Sequence, residues 1–234
     1  MSGTITQTKD NPDNNFCTMN SLENYYANQT FTQGNNTIKS DHPAPAVGTI
    51  GLTSGKWYWE GKAIVSTSGN DWQFGINGNQ VEATSDDIGN HANDYGYRGV
   101  DGDIRRNGSN NSYGDSYTAG DIIGCAVDLT NNKLYFSKNG VWQDSGDPTS
   151  GATGTGAFSI VNAAVDTPQG YFRPSAGANA SANDYTWSMN FGNGYFGTTA
   201  VASANADDAG LGSFEYDVPA GYYALCTNNL GDQS

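Results

Sequence analysis

The stretch that decides the fold is AGDIIGCAVDLTNNKLYFSKNGVWQ, residues 119–143. It contains an apolar run at 122–129, a turn at 131–132, a second run at 133–137, an Asn-Gly pair at 139–140 and a Val-Trp pair at 141–142. Asn-Gly is the preferred pair for a type I′ hairpin turn, because both residues tolerate positive φ. The stretch therefore predicts a meander of three antiparallel strands.

Strand signals continue on both sides of this meander. WYWEGKAIV (57–65) alternates between two faces, with Trp57 and Trp59 on one and Tyr58 and Glu60 on the other. This period of two is typical of a β-strand. Further short runs lie at 72–76, 158–161, 171–174 and 185–191. Short strands at such intervals, with 31 glycines available for tight turns, predict an all-β fold, a two-sheet antiparallel β-sandwich.

The pattern divides the chain into three parts that we expect to form one domain. Residues 1–45 are a polar arm in which TFTQGNNTIKS (30–40) predicts two short strands around a turn, packing on the sandwich. Residues 46–197 carry the sandwich itself. Residues 198–234 contain an alternating strand at the start of 214–230, a Pro-Ala-Gly turn and a final apolar strand, which we expect to complete the same domain.

The order of five motifs resembles the SPRY domain family. The motifs are SGKWYWE (54–60), WQFGI (72–76), GDIIGCAVDLTNNKLYFSKNG (120–140), YFRPS (171–175) and WSMNFG (187–192). The resemblance runs from about residue 47 to 197 and implies two antiparallel sheets packed face to face, as in concanavalin-like folds. It also implies a non-catalytic module that binds a partner through loops at one edge.

The signature residues themselves are expected to be architectural. The aromatic members, Trp57, Trp59, Phe136 and Phe191, are predicted to lie in the core. Asp128 and Asn139 are predicted to hold turns through hydrogen bonds from side chain to backbone.

The flanking segments resemble extensions on SPRY-like modules of bacteriophage structural proteins. They are KDNPDNNFCTMNSLENYY (9–26) and FEYDVPAGYYALCTNNL (214–230). This resemblance implies a virion protein (capsid decoration, tail or fibre), made in a host cytoplasm and held in an oligomeric assembly. Its partners would then be other virion proteins or a protein or glycan of the host surface.

Charge, apolar content and cysteine spacing limit the classes of partner and the type of protein that the sequence allows. A net charge of −14 repels phosphate backbones, so nucleic-acid binding is not expected. No stretch approaches the roughly 18 apolar residues of a membrane span, and the N-terminus has no apolar core of a signal peptide. The cysteines Cys17, Cys125 and Cys226 share no close spacing, and Cys125 and Cys226 are predicted to be small buried hydrophobes.

The sequence offers no catalytic constellation, so we predict no enzyme, no cofactor and no metal. His42 and His91 are isolated in the sequence, and Glu60 has no acidic partner two residues on. Asp101 and Asp103 lie near other carboxylates, but Arg105-Arg106 follow at once and no EF-hand pattern is present. Turn formation explains these aspartates better than calcium does.

The stretch 77–120 is interpreted as a long polar loop that carries exposed aromatic and Arg side chains, the types enriched in interface hot spots. The candidate partner-binding residues are Asn77, Tyr95, Tyr97, Arg98, Arg105, Tyr113 and, from the hairpin, Trp142. The alternative is that the tyrosines merely pack the loop onto the sandwich. Three functions stay open: a virion structural protein, an adhesin module that binds a glycan or receptor, and an intracellular adaptor that binds a peptide.

Overall fold

The computed structural model describes residues 9–23, 29–40, 43–67, 69–79, 86–179 and 185–232. In chain order the strands are β1 (Thr30–Thr32), β2 (Thr37–Ser40), β3 (Ala46–Val47), β4 (Lys56–Ser66), β5 (Trp72–Asn77), β6 (Asp94–Arg98), β7 (Ile104–Arg106), β8 (Ser109–Asn111), β9 (Ile122–Asp128), β10 (Lys133–Lys138), β11 (Val141–Trp142), β12 (Phe158–Ser159), β13 (Arg173–Ala178), β14 (Tyr185–Asn190), β15 (Tyr195–Phe196), β16 (Thr199–Ala200) and β17 (Tyr223–Ala224). Two short α-helices, α1 (Ala163–Asp166) and α2 (Thr227–Asp232), and three 3₁₀ segments at 21–23, 143–145 and 148–153 complete the described part.

The strands form two main sheets, as the sequence predicts. The larger sheet has the order β1-β2-β14-β4-β9-β10-β11, with β12 also pairing with β10 and β17 with β4. The smaller sheet has the order β3-β13-β5-β6-β7-β8, and β15 pairs with β16. Among the described strands, pairing is antiparallel except for β17, which runs parallel to β4. The two-sheet antiparallel sandwich is therefore confirmed, with one parallel exception contributed by the C-terminal segment.

The predicted meander is present as β9, β10 and β11, paired antiparallel in sequence order. The turn residues Asn139 and Gly140 have φ of 49° and 80°, the left-handed values that a type I′ turn needs. The Asn139 side-chain oxygen accepts the backbone N–H of Ile122 at 2.9 Å. The Asp128 carboxylate accepts the backbone N–H of Asn131, also at 2.9 Å. Both signature residues hold turns, as predicted.

The alternation in β4 buries two aromatic faces rather than one. Trp57 and Trp59 face the main core between the sheets, where Phe136 and Phe191 also lie buried. Tyr58 points to the opposite face and packs in a second buried cluster under the C-terminal segment. This second cluster accounts for part of the high aromatic content of the chain.

The C-terminal segment departs from the strand predicted at the start of 214–230. An isolated bridge between Asn205 and Phe214 forms there instead of a strand. The reason is the buried Glu60 side chain, whose carboxylate oxygens accept the backbone N–H groups of Glu215 and Tyr216 at 2.9 Å each. These two N–H groups therefore donate to the Glu60 carboxylate and are not available for strand pairing.

The N-terminal hairpin matches its prediction, since β1 pairs with β2 and β2 pairs with β14 of the large sheet. Cys17, Cys125 and Cys226 form no disulfide and are buried, which confirms the role of buried hydrophobes for the last two. His42 lies outside the described residues. Neither α-helix in the described ranges has the length or apolar character needed to cross a bilayer.

The interpretation of 77–120 as one long loop is wrong. The described part of this stretch contains β6, β7 and β8, which extend the smaller sheet beyond β5. Tyr95 and Tyr97 alternate with Gly96 on β6, and both tyrosines are fully buried. The sequence pattern did not predict this short strand, because it is surrounded by polar residues and its buried side chains are tyrosines rather than aliphatic residues.

Candidate partner-binding cleft

A surface cleft of about 480 Å³ lies where the β10–β11 hairpin meets the chain after β8. Its walls are residues 112–115 on one side and 141–145 on the other, and we call it the hairpin cleft. Its volume falls within the range of about 300–1,000 Å³ typical of binding sites.

The hairpin wall presents an apolar surface to solvent. Val141 follows the tight Asn139-Gly140 turn and is 67% exposed. Its neighbour Trp142 is half-buried and packs edge-on against Tyr58, with ring centroids 6.3 Å apart. An exposed aliphatic side chain beside an anchored aromatic ring is a surface that favours contact with another apolar group.

The opposite wall is held by tyrosine hydroxyls. The Tyr113 hydroxyl accepts the backbone N–H of Phe136 at 3.1 Å, and its ring packs edge-on against the Phe136 ring. Beneath the cleft, the Tyr97 hydroxyl donates to the carbonyl oxygen of Asp115. Burial raises the pKa of both tyrosines above the ordinary value. Both hydroxyls therefore keep their protons at neutral pH and serve as fixed structural groups.

Gln143 joins the two walls. Its side-chain oxygen accepts the backbone N–H of Asp115 at 2.8 Å, and its side-chain nitrogen donates to the carbonyl oxygen of Val141 at 2.9 Å. The side chain is almost completely buried, and both hydrogen bonds are partly buried. The cleft is therefore preformed rather than dependent on a ligand.

The rim carries backbone strain and negative charge. Asp144 and Ser145 both have positive φ, 52° and 55°, although neither is glycine. Non-glycine residues in this region are costly and concentrate at functional sites. Asp144 and Asp115 are acids with solvent exposure among the described residues that line the cleft, and these include no Lys or Arg. The cleft therefore favours a cationic group next to an apolar one.

Only part of the predicted site is found in this cleft. Tyr113 and Trp142 line it, and Tyr97 supports its floor. Among the other candidates, Asn77 is buried at the end of β5, where its side chain accepts the backbone N–H of Asn79. The Tyr95 hydroxyl accepts the backbone N–H of Val161 inside the sandwich.

The two predicted arginines are engaged in ion pairs within the chain. Arg98 pairs with Asp101 at 2.8 Å, and Arg105 pairs with the buried Asp87 at 3.1 Å. Asp101 also accepts the backbone N–H of Asp103, which agrees with its interpretation as a turn residue.

The expectation of exposed aromatic side chains in the stretch 77–120 is wrong for Tyr95 and Tyr97, because both are buried on β6.

The sequence does not predict several of the cleft residues: Ser112, Gly114, Asp115, Val141, Gln143, Asp144 and Ser145. The Asn-Gly turn before Val141 is the local signal that marks some of them, since it places the next residues at the tip of a hairpin. The meeting of this hairpin with 112–115 depends on pairing between distant segments.

The family model of the SPRY domain matches residues 56–193, more than half of the chain. This chain belongs to the SPRY domain family. The SPRY assignment agrees with the ordered motifs and with the two-sheet architecture.

The relatives found by sequence include several eukaryotic proteins. Ran-binding protein 9 of Danio rerio is 34% identical over 106 residues, which cover 44% of this chain and 16% of that protein. The Ran-binding proteins 9/10 homolog of Drosophila melanogaster is 46% identical over 48 residues, covering 20% of this chain and 5% of that protein. This chain thus matches less than a fifth of the length of either relative. These matches lend no support to the predicted bacteriophage type.

The crystal structure of the SPRY domain of human HERC1 has a similar fold. It superposes with a TM-score of 0.51 at 18% sequence identity, covering 69% of this chain and 91% of that one. At this identity the similarity concerns the SPRY fold alone.

Proposed function

We propose that this chain is a non-catalytic, protein-binding module that holds an extended segment of a partner in the hairpin cleft. The observation that carries the proposal is the exposure of Val141 (67%) beside the half-buried Trp142 in a preformed cleft. The partner segment would place an apolar side chain on this pair and a Lys or Arg side chain near Asp115 and Asp144.

The intracellular adaptor is the function that the relatives favour over the virion protein and the surface adhesin. Several of the matched relatives are eukaryotic proteins named as Ran-binding proteins. The three cysteines of this chain form no disulfide, which suits a reducing compartment. Because the match covers 16% of the zebrafish relative, we assign the partner by its chemistry and not as Ran. The virion interpretation rests on the resemblance of the flanking segments, the absence of an export signal and the lack of catalytic groups in the sequence.

The chemistry of the cleft supports binding without a reaction. Its described lining residues include aromatic, aliphatic, amide, hydroxyl and carboxylate side chains, but no His, Cys or Lys. The Gln143 and Tyr97 groups at its floor are fixed by hydrogen bonds to backbone. Such groups orient a ligand but do not supply a nucleophile with an adjacent base.

A peptide-display selection on the whole chain tests this proposal, followed by affinity measurements on the selected peptides. We expect selected peptides to pair an apolar residue with Lys or Arg, and Val141→Asp and Trp142→Ala to weaken binding at least about tenfold, the factor for about 1.4 kcal/mol. Val165→Asp is the matched control, because Val165 is 79% exposed on α1 and does not line the cleft.

Binding that survives both cleft substitutions, or falls equally with the Val165 control, would show that the cleft is not the binding surface. Selection of acidic peptides would contradict the charge argument. Thermal unfolding of each variant is measured alongside, since both cleft side chains are at least partly exposed and the fold should be retained.

A further inference from the structure

A second cavity, of about 400 Å³, lies near the opposite edge of the large sheet from the hairpin cleft. It is lined by Thr18, by Gln33, Gly34 and Asn36 of the β1–β2 turn, and by Asn193 after β14, with Asp10 and Gly197. We call it the amide cavity. None of the signature motifs or candidate binding residues points to it, apart from the NFG motif that precedes Asn193.

Two asparagine side chains in this cavity have hydrogen-bonding capacity that the protein leaves unused. Asn36 is 8% and Asn193 is 4% exposed, and neither side-chain oxygen has a hydrogen-bond partner among the described residues. A buried amide oxygen without a partner is costly. Both oxygens are shielded from solvent in their present orientation, so a ligand in this cavity would reach them once the side-chain amides rotate.

The backbone around both asparagines is fixed. The side-chain oxygen of Asn190 accepts the backbone N–H groups of Gly192 and Gly194 at 3.0 and 3.1 Å, on either side of Asn193. The carbonyl oxygen of Asn36 accepts the backbone N–H of Met189 at 2.7 Å. The two amides are thus held on a rigid frame, while rotation about the last side-chain bond of asparagine is soft. A ligand can turn either amide end toward itself without moving the backbone.

The charge of the lining selects the class of ligand. No Lys, Arg or His belongs to the described lining, so an anion finds no counter-charge there. Asp10 is the charged residue among them, and its carboxylate accepts the backbone N–H of Phe16. Amide and hydroxyl groups both donate and accept hydrogen bonds, which matches a neutral ligand rich in hydroxyl groups. Tyr195 and Lys9 line the neighbouring cavity that shares Asn193, and the Lys9 ammonium donates to the carbonyl oxygen of Gly212 at 2.8 Å.

We propose that the amide cavity is a second binding site, which takes a neutral saccharide unit whose hydroxyl groups pair with Asn36 and Asn193. This site is independent of the peptide-binding function of the hairpin cleft, because the two share no lining residue within the described part of the chain.

Saturation-transfer difference NMR with the methyl glycosides of glucose, galactose, mannose and N-acetylglucosamine tests the proposal. We expect at least one glycoside to bind, and Asn36→Leu and Asn193→Leu each to weaken it by about tenfold, the loss of a well-made hydrogen bond or two. The thermal stability of both variants should stay unchanged or rise, because each removes an unsatisfied buried group. Trp142→Ala, in the hairpin cleft, should leave glycoside binding unchanged.

Absence of binding for all four glycosides, or binding that survives both leucine substitutions, would overturn the proposal. So would a sharp loss of stability in the leucine variants without a change in affinity, since that outcome would assign the amides a structural role. If a variant fails to fold, titration of the unmodified protein decides instead. The side-chain amide NMR signals of Asn36 and Asn193 must then shift on adding the glycoside.

Discussion

Gln143 accepts the backbone N–H of Asp115 at 2.8 Å through its side-chain oxygen, across a separation of 28 residues. This bond joins the end of the meander to the segment that follows β8, across the hairpin cleft. Other contacts between segments also stabilise the fold. They are the hydrogen bonds that the carboxylates of Glu60 and Asp207 accept and the close packing of the Gly75 backbone against β6.

Replacement of Gln143 with Ala should open the cleft and destabilise the protein. The backbone N–H of Asp115 would lose its partner in this part-buried hydrogen bond, at a cost of about 0.5–1.5 kcal/mol. Urea unfolding measures this loss, and hydrogen exchange at residues 112–116 should become faster. Gln169→Ala is the matched control, because the Gln169 side-chain oxygen has no partner among the described residues. Equal losses in the two variants would show that the contact does not hold the wall.

Glu60 should make the stability of the protein depend on pH. Burial raises the pKa of this carboxyl group from 4.5 to about 7, despite hydrogen bonds from Tyr58, Asn190 and two backbone N–H groups. The folded state therefore holds the proton more tightly than the unfolded state does. The contribution of Glu60 is fully present below about pH 4.5 and is lost as pH rises through about 7.

The substitution Glu60→Gln isolates this effect, because glutamine does not titrate. We expect the free energy of unfolding of the unmodified protein, relative to the variant, to fall by a few kcal/mol between pH 5 and pH 8, since each tenfold difference in proton affinity between the two states corresponds to about 1.4 kcal/mol. Denaturant unfolding at several pH values measures the difference. A constant difference across this range would mean that the carboxyl group titrates with an ordinary pKa.

The folded conformation of the C-terminal segment should depend on the Asp207 carboxylate. One of its carboxylate oxygens accepts the backbone N–H groups of Leu211 and Gly212 at 2.7 Å each, and the other accepts from Ala224 and the Asn229 side chain at 2.9 and 2.8 Å. Asp207→Ala removes the acceptor of all four donors, so we expect a loss of at least about 3 kcal/mol.

Calorimetry of Asp207→Ala beside Asp208→Ala measures this effect, because Asp208 is the adjacent aspartate and is exposed. The Asp208 variant should melt within a few degrees of the unmodified protein. Similar melting temperatures for the two variants would contradict the assigned role. Proteolysis should also remove the chain after residue 205 more readily in the Asp207 variant.

Gly75 should tolerate no side chain. A Cβ atom built on it would lie 1.9 Å from the backbone carbonyl oxygen of Tyr95 on the neighbouring strand. Because the obstacle is a backbone atom, it cannot move aside. Gly75→Ala should therefore lower the free energy of unfolding by about 1–3 kcal/mol or more, the cost typical of overpacking. Gly231→Ala serves as control, since no atom of the described residues beyond its neighbours in the chain and the α2 backbone lies within 4 Å of its Cβ position, and alanine favours the helix. A Gly75 variant of normal stability in urea unfolding would contradict the close approach of β5 and β6.

The candidate binding residues show how far local sequence predicts the site. Tyr113 and Trp142 are predicted as binding residues and line the hairpin cleft, but Tyr95 is buried in the sandwich. Aromatic residues in a polar stretch have the same local pattern whether they face solvent or the core. Their placement depends on β6 pairing with β5, which local sequence does not encode.

Local sequence was sufficient to predict the meander and the two-sheet fold. The reason is physical: turn residues such as Asn139 and Gly140 select their backbone angles locally, and a period of two assigns each strand its buried face. Packing between distant segments alone determines which surfaces stay exposed to solvent. The exposure of Val141, the unused amides of Asn36 and Asn193, and the raised pKa of Glu60 all arise from segments far apart in the chain. Burial and hydrogen bonding are properties of the neighbours that packing supplies, and these neighbours are absent from any local stretch of sequence.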